Sequence, residues 1–137
     1  MIDHKITKGM SIIYNREISS GDTATGFGSG VLDYLLSTPA IVSMVIEGSI
    51  KLLDQLVPSD YITVGGKIEI THEKPTLLGE SVHIVLTVEE VDGDRIVLDA
   101  AVHDHVGVVA RGKHERFIVN SEKLMAAAYA RLGRDEI

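Results

Sequence analysis

The pattern of apolar residues predicts one long helix, which begins near Thr38 and around which the rest of the chain is organised. Thr38 is expected to cap this helix through its side-chain oxygen, and Pro39 suits the first helical position, where no amide hydrogen is needed. Gly48 lowers helix propensity, which indicates a close packing contact at that point. A helix that is apolar on most sides is buried rather than laid on a surface. Its apolar positions are Ile41, Val42, Met44, Val45, Ile46 and Ile50.

The second half of the predicted helix, which should run from Pro39 to about Leu56, carries a polar stripe. Ser43, Glu47 and Lys51 follow one another at four-residue steps. Glu47 and Lys51 have the spacing of a favourable ion pair on a solvated helix face. We therefore expect the two side chains to pair with each other.

Beyond the helix the apolar residues recur at every second position, which predicts strands. The sequence Asp92-Gly93 is typical of a tight turn between two of them. A buried helix followed by an antiparallel meander predicts the α+β class, with the sheet curled round a single central helix in a hot-dog arrangement. The predicted strands cover residues 11–18, 61–74, 81–91, 95–103 and 108–119, and an alanine-rich helix is predicted at 123–132.

Composition limits the class of protein. The 137 residues are enough for one domain with its own core, so a single domain over residues 1–137 is expected. With no cysteine, disulfides and thiolate chemistry are excluded. The N-terminal residues do not have the pattern of a secretory signal, and no stretch is long and apolar enough to span a bilayer, so a cytoplasmic protein is expected. The net charge of −7 opposes loose binding to nucleic acid.

A glycine-rich segment precedes the helix. The run Gly26-Phe-Gly-Ser-Gly30 has some likeness to a phosphate-binding turn. Such a turn joins a strand directly to a helix and carries a lysine or a dinucleotide pattern, and this run has neither. We predict a mobile loop or lid.

Short motifs spread over most of the chain resemble the fluoroacetyl-CoA thioesterase-like group of hot-dog thioesterases. The resemblance implies hydrolysis of small acyl-CoA thioesters without a metal or redox cofactor, in a homodimer with the active site at the subunit interface. The sequence leaves open whether the homodimers pair into a dimer of dimers. The matching stretches occur in the family's order between Gly28 and Val119. They are Gly28-Ser-Gly30, Ser37-Thr-Pro-Ala40, Val64-Gly65, Thr71-His72 with Pro75 and Gly79, and Lys113-His-Glu-Arg-Phe-Ile-Val119.

The resemblance also assigns roles to individual residues. The family's threonine at the helix start corresponds to Thr38, its histidine after the helix to His72, and its backbone contact to the thioester to Gly65. The family's helix glutamate has no counterpart, because an ungapped alignment places Ile46 there and Glu47 one residue later. A shift of one residue turns a side chain by about 100° round the helix axis.

The chemistry explains why these residue types matter. Thioester hydrolysis needs a nucleophile or an activated water, a proton shuttle, and donors for the developing oxyanion. His72 can act as acid or base, because its unperturbed pKa is close to neutrality. Thr38 can orient water or attack if His72 is within hydrogen-bond reach. The amides at the helix N-terminus, or Gly65, can hold the oxyanion, and Glu47 or a residue from elsewhere would supply the carboxylate.

Each candidate also has a structural interpretation. Thr38 can be a helix cap only, His72 a core histidine, and Glu47 half of a solvated ion pair. The run His103-Asp104-His105 contains metal-ligand types but lies at a predicted hairpin tip, and no third ligand is identifiable, so no metal site is predicted. For His114-Glu115-Arg116, whose alternation places Glu115 on the opposite face, a structural ion pair is expected.

Three functions remain open from the sequence. The first is a dimeric acyl-CoA thioesterase that uses His72 and Thr38. The second is a binding module that keeps the acyl-CoA groove but has lost hydrolysis because Ile46 replaces the carboxylate. The third is a hydratase acting on acyl thioesters, which is the weakest because the expected pair of aspartate and histidine does not stand out.

Overall fold

The chain folds as a five-stranded antiparallel sheet with one long helix packed against it. The computed structural model describes residues 2–26 and 28–134. The elements are β1 (Ser11–Glu17), α1 (Thr38–Leu53), β2 (Tyr61–His72), β3 (Ser81–Asp92), β4 (Arg95–His103), β5 (Val108–Asn120) and α2 (Ser121–Arg131). Strand order in the sheet is β1-β3-β4-β5-β2, so β1 and β2 are its edges.

The α+β class and the hot-dog arrangement predicted from the sequence are confirmed. The strand bounds agree with the predicted ones to within about two residues. The turn between β3 and β4 is tight because Asp92 pairs with Arg95, and Gly93 between them adopts a φ of 61°. A glycine accepts that left-handed conformation without a steric penalty.

The helix α1 buries one face rather than most of its circumference. Ile41, Met44 and Val45 are fully buried in the main core, together with apolar residues of β3, β4 and β5. Val42 and Ile46 are half-buried, and Ile50 is 43% exposed. The prediction of burial on most sides was therefore wrong, because the sheet covers α1 from one side only.

Gly48 of α1 has the packing role that its position indicated. A Cβ at this position would lie 2.6 Å from Cε1 of Tyr14 and 2.7 Å from Cδ1 of Leu86. Tyr14 also donates its hydroxyl hydrogen to the Met44 carbonyl on α1. Glycine here allows α1 to lie close against β1 and β3.

No helix within the described residues is long and apolar enough to cross a membrane.

Candidate active site

The N-terminus of α1 is capped by Ser37, not by Thr38. Ser37 has extended backbone angles, and its Oγ accepts a hydrogen bond of 3.2 Å from the Ala40 amide. Thr38 is the first helical residue, and Pro39 follows it. The predicted Thr38 cap was therefore wrong by one position. Because Ser37 satisfies the helix end, the Thr38 hydroxyl is available for another partner.

That partner is His72, the last residue of β2. Thr38 Oγ1 lies 2.8 Å from His72 Nδ1, a distance typical of a hydrogen bond. The two residues come from different elements: in space, the N-terminus of α1 lies beside the C-terminal end of the edge strand β2. The structure thus brings together the two side chains that the sequence singled out for acid–base chemistry.

The surroundings of His72 favour its neutral form. Burial lowers the pKa of His72 below its ordinary value, and the backbone at Lys74 opposes this only in part. Its Nε2 atom is buried and has no hydrogen-bond partner among the described residues. A neutral imidazole with its Nδ1 against a hydroxyl can accept the hydroxyl proton, which is the arrangement a general base needs.

A cavity of about 400 Å³ lies beside this pair. One side is formed by the start of α1 and the end of β2, and the other by the segment that connects β1 to α1. Apolar residues dominate the lining, and Glu73 supplies the sole carboxylate among the lining residues that the structure describes. The lining residues are Ala24, Gly28, Leu32, Leu35, Leu36, Ser37, Thr38, Pro39, His72, Glu73, Lys74 and Pro75.

Glu47 does not reach the pair within one chain. It lies about 13 Å further along the α1 axis than Thr38 and about half a turn round it. Its Oε2 is 2.8 Å from Nη1 of Arg16 on β1. Among the ion pairs of the described residues, Glu47 therefore pairs with Arg16, and the expected pair with Lys51 was wrong. The spacing of residues along a helix cannot predict a partner that lies on a different element.

Ile46 and Gly65 also lie apart from the cavity. Ile46 is half-buried on α1, outside both apolar core clusters. Gly65 lies next to a register shift between β2 and β5, about 20 Å along β2 from His72. A Cβ on Gly65 would be 3.2 Å from Cε1 of His114, so the position is crowded.

Sequence reasoning missed a buried polar network beside Gly65. Arg116 is 3% exposed and donates to Thr63 Oγ1 over 2.9 Å, to the Thr63 carbonyl over 2.6 Å, and to His114 Nε2 over 3.1 Å. His114 Nδ1 in turn lies 2.8 Å from the Lys67 carbonyl. Because an arginine can only donate, His114 must accept at Nε2 and carry its hydrogen on Nδ1. His114 is thus held neutral, and burial lowers its pKa.

Successive side chains of β5 point to opposite faces of the sheet. The sequence could therefore have indicated that His114 and Arg116 share one face and that Glu115 lies on the other. There Glu115 forms an ion pair with Arg95 on β4. The expected structural ion pair thus involves Glu115, but with a partner outside its own tripeptide. His114 and Arg116 share hydrogen bonds and not an ion pair.

The tripeptide His103-Asp104-His105 shapes a turn. Asp104 Oδ1 accepts hydrogen bonds from the amides of Val106 and Gly107, at 2.9 and 3.1 Å. Within the described residues no group of three metal-ligating side chains is close enough to hold an ion.

An antiparallel five-stranded sheet with one long helix packed against it defines a hot-dog fold. The family model for the fluoroacetyl-CoA-specific thioesterase FlK matches residues 18–122, and the chain belongs to this family. Membership supports acyl-CoA thioester hydrolysis as the general activity. Comparison with curated protein sequences gives no significant match.

Solved structures agree with this assignment. A hot-dog-like protein from Thermanaerovibrio acidaminovorans is similar with a TM-score of 0.86 and 29% identity, covering 90% of this chain and 91% of its own. A point mutant of FlK gives 0.84 and 18%, covering 93% and 98%. A hypothetical protein from Thermus thermophilus, described as a thioesterase superfamily member, gives 0.83 and 19%, covering 94% of each chain. At identities below 25%, the last two likenesses establish the fold only.

Proposed function

We propose that the protein hydrolyses a small acyl-CoA thioester to the free acid and CoA, with His72 as the acid/base and Thr38 as its partner. The contact of 2.8 Å between Thr38 Oγ1 and His72 Nδ1, at the wall of an apolar cavity, carries this proposal. A related FlK structure contains fluoroacetate and CoA, which supports a ligand of the same chemical kind here.

In the proposed reaction, neutral His72 accepts a proton at Nδ1 from the Thr38 hydroxyl or from a water that this hydroxyl orients. The oxygen attacks the thioester carbon, and the C–S bond breaks. His72 then returns the proton to the departing sulfur of CoA. Direct attack by Thr38 gives an ester on Thr38 and free CoA, and one water then cleaves this ester to the acid and the free hydroxyl, whereas attack by water gives the acid and CoA without an ester.

The helix N-terminus has few amides to offer the oxyanion. Pro39 has no amide hydrogen, the Ala40 amide binds Ser37 Oγ, and the Ile41 amide binds the Ser37 carbonyl. The Thr38 amide is therefore the first-turn donor that can point at a ligand. The Gly65 amide is the second proposed donor, but Gly65 of the same chain is too distant.

A homodimer would resolve that distance, because a second copy can present its Gly65 to the first copy's Thr38 and His72. Two features support it. Strand β2 is an edge of the sheet, twelve residues long, and an edge strand can pair with a strand of another chain. The face of α1 that carries Val42, Ile46 and Ile50 is apolar and incompletely buried. A dimer of dimers is the larger alternative, and the cytoplasm stays the predicted location.

The alternative function is an acyl-CoA-binding protein without hydrolysis. The observation that favours it is the distance of Glu47 from His72, together with Ile46 at the position of the family's glutamate. For a water beside Thr38, the one lining carboxylate among the described residues is then Glu73, which forms an ion pair with Arg111, unless the partner subunit supplies another.

A hydrolysis assay with short and medium acyl-CoA thioesters, for the unmodified protein and for His72→Ala, separates the two functions. Turnover that disappears in His72→Ala supports the thioesterase, and turnover that survives the substitution refutes the role of His72. If an acyl-CoA raises the melting temperature but is not cleaved, the binding protein is favoured. A large gain of hydrolysis in Ile46→Glu would show that only the carboxylate was missing.

A further inference from the structure

Five of the twelve residues that line the cavity beside the Thr38–His72 pair come from the wall loop, by which we mean the described residues 23–26 and 28–36 between β1 and α1. A segment with little regular structure has to be held in place if it is to bind a ligand reproducibly. The lining residues in the wall loop are Ala24, Gly28, Leu32, Leu35 and Leu36.

Asp22 fastens the two ends of the wall loop to each other. Its carbonyl oxygen accepts a hydrogen bond of 2.8 Å from the amide of Ser37, the residue that caps α1. Its carboxylate Oδ2 accepts from the amide and the hydroxyl of Ser19, at 3.0 and 3.1 Å. The residue just before the wall loop is thus joined to the residue just after it, one position from Thr38.

Arg16 on β1 holds Asp22 through a charged contact. Its Nη2 lies 2.8 Å from Asp22 Oδ1, and its Nη1 lies 2.8 Å from Glu47 Oε2 on α1. The Asp22 side chain is 11% exposed, whereas that of Glu47 is 48% exposed. Since solvent screens exposed charges, the contact with Asp22 is the less screened of the two.

We propose that Arg16 and Asp22 are positioning residues that hold the wall loop against the start of α1 in the geometry that binds the acyl thioester. This role rests on the proposed function, because the cavity has to be the ligand site. Glu47 is the solvent-exposed end of the same chain of contacts, linked to the cavity through Arg16 and Asp22.

The first arm of the test measures steady-state kinetics of Arg16→Gln and Asp22→Asn with the best acyl-CoA thioester. Each variant should raise KM about tenfold, which corresponds to about 1.4 kcal/mol, and change kcat by less than about threefold. Because both residues act through one contact, the double variant should raise KM no further than either single variant. Arg16→Lys, which keeps the charge, should recover part of the loss.

The matched control removes an exposed ion pair of the outer sheet face, Lys113 with Glu89, whose side chains are 51% and 43% exposed. Lys113→Gln and Glu89→Gln should leave KM unchanged. A purely structural role of Arg16 and Asp22 would lower the melting temperature without changing KM below that temperature. An unchanged KM in Asp22→Asn, or effects of the two substitutions that multiply in the double variant, would overturn the proposal.

The second arm needs no turnover. Hydrogen exchange should be at least tenfold faster across the wall loop in Asp22→Asn, while peptides from β3 and β4 exchange as in the unmodified protein. Unchanged exchange in the wall loop overturns the proposal even if KM rises. If the unmodified protein neither hydrolyses acyl-CoA thioesters nor binds an uncleavable thioether analogue, the proposed function fails, and the exchange result alone decides whether Asp22 holds the loop.

Discussion

Replacing Thr38 by valine tests whether Thr38 contacts His72 for catalysis while Ser37 caps α1. Valine has nearly the shape of threonine and suits the same backbone, so the substitution removes a hydroxyl and little else. The companion substitution, Ser37→Ala, removes the side chain that caps the helix. The first substitution should affect chemistry and the second should affect stability.

The magnitudes follow from the contacts. Thr38→Val removes one hydrogen bond to His72, which is worth about 1 kcal/mol of stability, but it also removes the group that exchanges a proton with His72. Positioned acid–base catalysis typically contributes about 10² to 10⁴ in rate, so kcat should fall at least about 100-fold. Ser37→Ala should cost about 0.5–2 kcal/mol of unfolding free energy, since the Ala40 amide loses its acceptor.

Two measurements on the same preparations suffice. Turnover of an acyl-CoA thioester gives kcat, and chemical unfolding gives the free energy of unfolding; for a chain of this size, 1 kcal/mol corresponds to about 4 °C in melting temperature. Thr38→Ser retains a hydroxyl and should keep kcat within about tenfold. Ser37→Ala should lose less than about tenfold in kcat.

Two results would refute this reasoning. A kcat within threefold of the unmodified value in Thr38→Val would show that the pair with His72 is structural. A larger loss of stability in Thr38→Val than in Ser37→Ala would return the cap to Thr38, against the contact between Ser37 Oγ and the Ala40 amide.

Three further predictions concern other parts of the molecule. Because burial lowers the pKa of His72, kcat/KM should rise with pH through a value below about 6.5 and be level at neutral pH; an initial-rate pH profile measures this. The pKa of His114 is lowered too, so His72 and His114 take up protons at higher pH in the unfolded chain than in the folded one. The free energy of unfolding should therefore decrease as pH falls below about 6.5, which urea unfolding measures. Gly48→Ala places a methyl group against Tyr14 and Leu86 and should cost about 1–3 kcal/mol in the same urea experiment.

Each of these predictions has a contradicting outcome. A pKa above 7 in the pH profile of kcat/KM would mean that His72 is not the general base. In a His72→Gln variant any residual turnover should lack this transition, while the loss of stability in acid due to His114 should persist. For Gly48→Ala, the control is Ser43→Ala on the exposed face of α1, which should change stability by less than about 0.5 kcal/mol. Equal effects of the two alanine substitutions would show that Gly48 is not closely packed.

The strands could be predicted from the sequence because a strand with one buried face has apolar residues at every second position. It was insufficient for α1, because apolar residues on two sides of a helix do not reveal which side the sheet covers. Ile41 and Ile50 look alike in the sequence, yet the first is fully buried and the second is 43% exposed. Only the register between α1 and the sheet distinguishes them.

Spacing along the sequence did not identify the partners of the long charged side chains. Glu47 has Lys51 four residues away, but its observed partner is Arg16 on a neighbouring strand. The same holds for Arg116 on β5, which donates hydrogen bonds to Thr63 on the neighbouring strand β2. Long side chains reach across elements, so their partners depend on the tertiary fold, which spacing rules do not describe.

The candidate site itself rests on a distinction that sequence rules could not make. Serine and threonine are both good helix caps, so Ser37 and Thr38 compete for the role until the backbone assigns it. With Ser37 in the cap position, the Ala40 and Ile41 amides are used, Pro39 has none, and both the hydroxyl and the amide of Thr38 remain available beside His72. Had Thr38 been the cap, its hydroxyl would have been committed to the helix. The one-residue difference thus separates a helix that merely begins near a histidine from one that can present a nucleophile and an oxyanion donor to it.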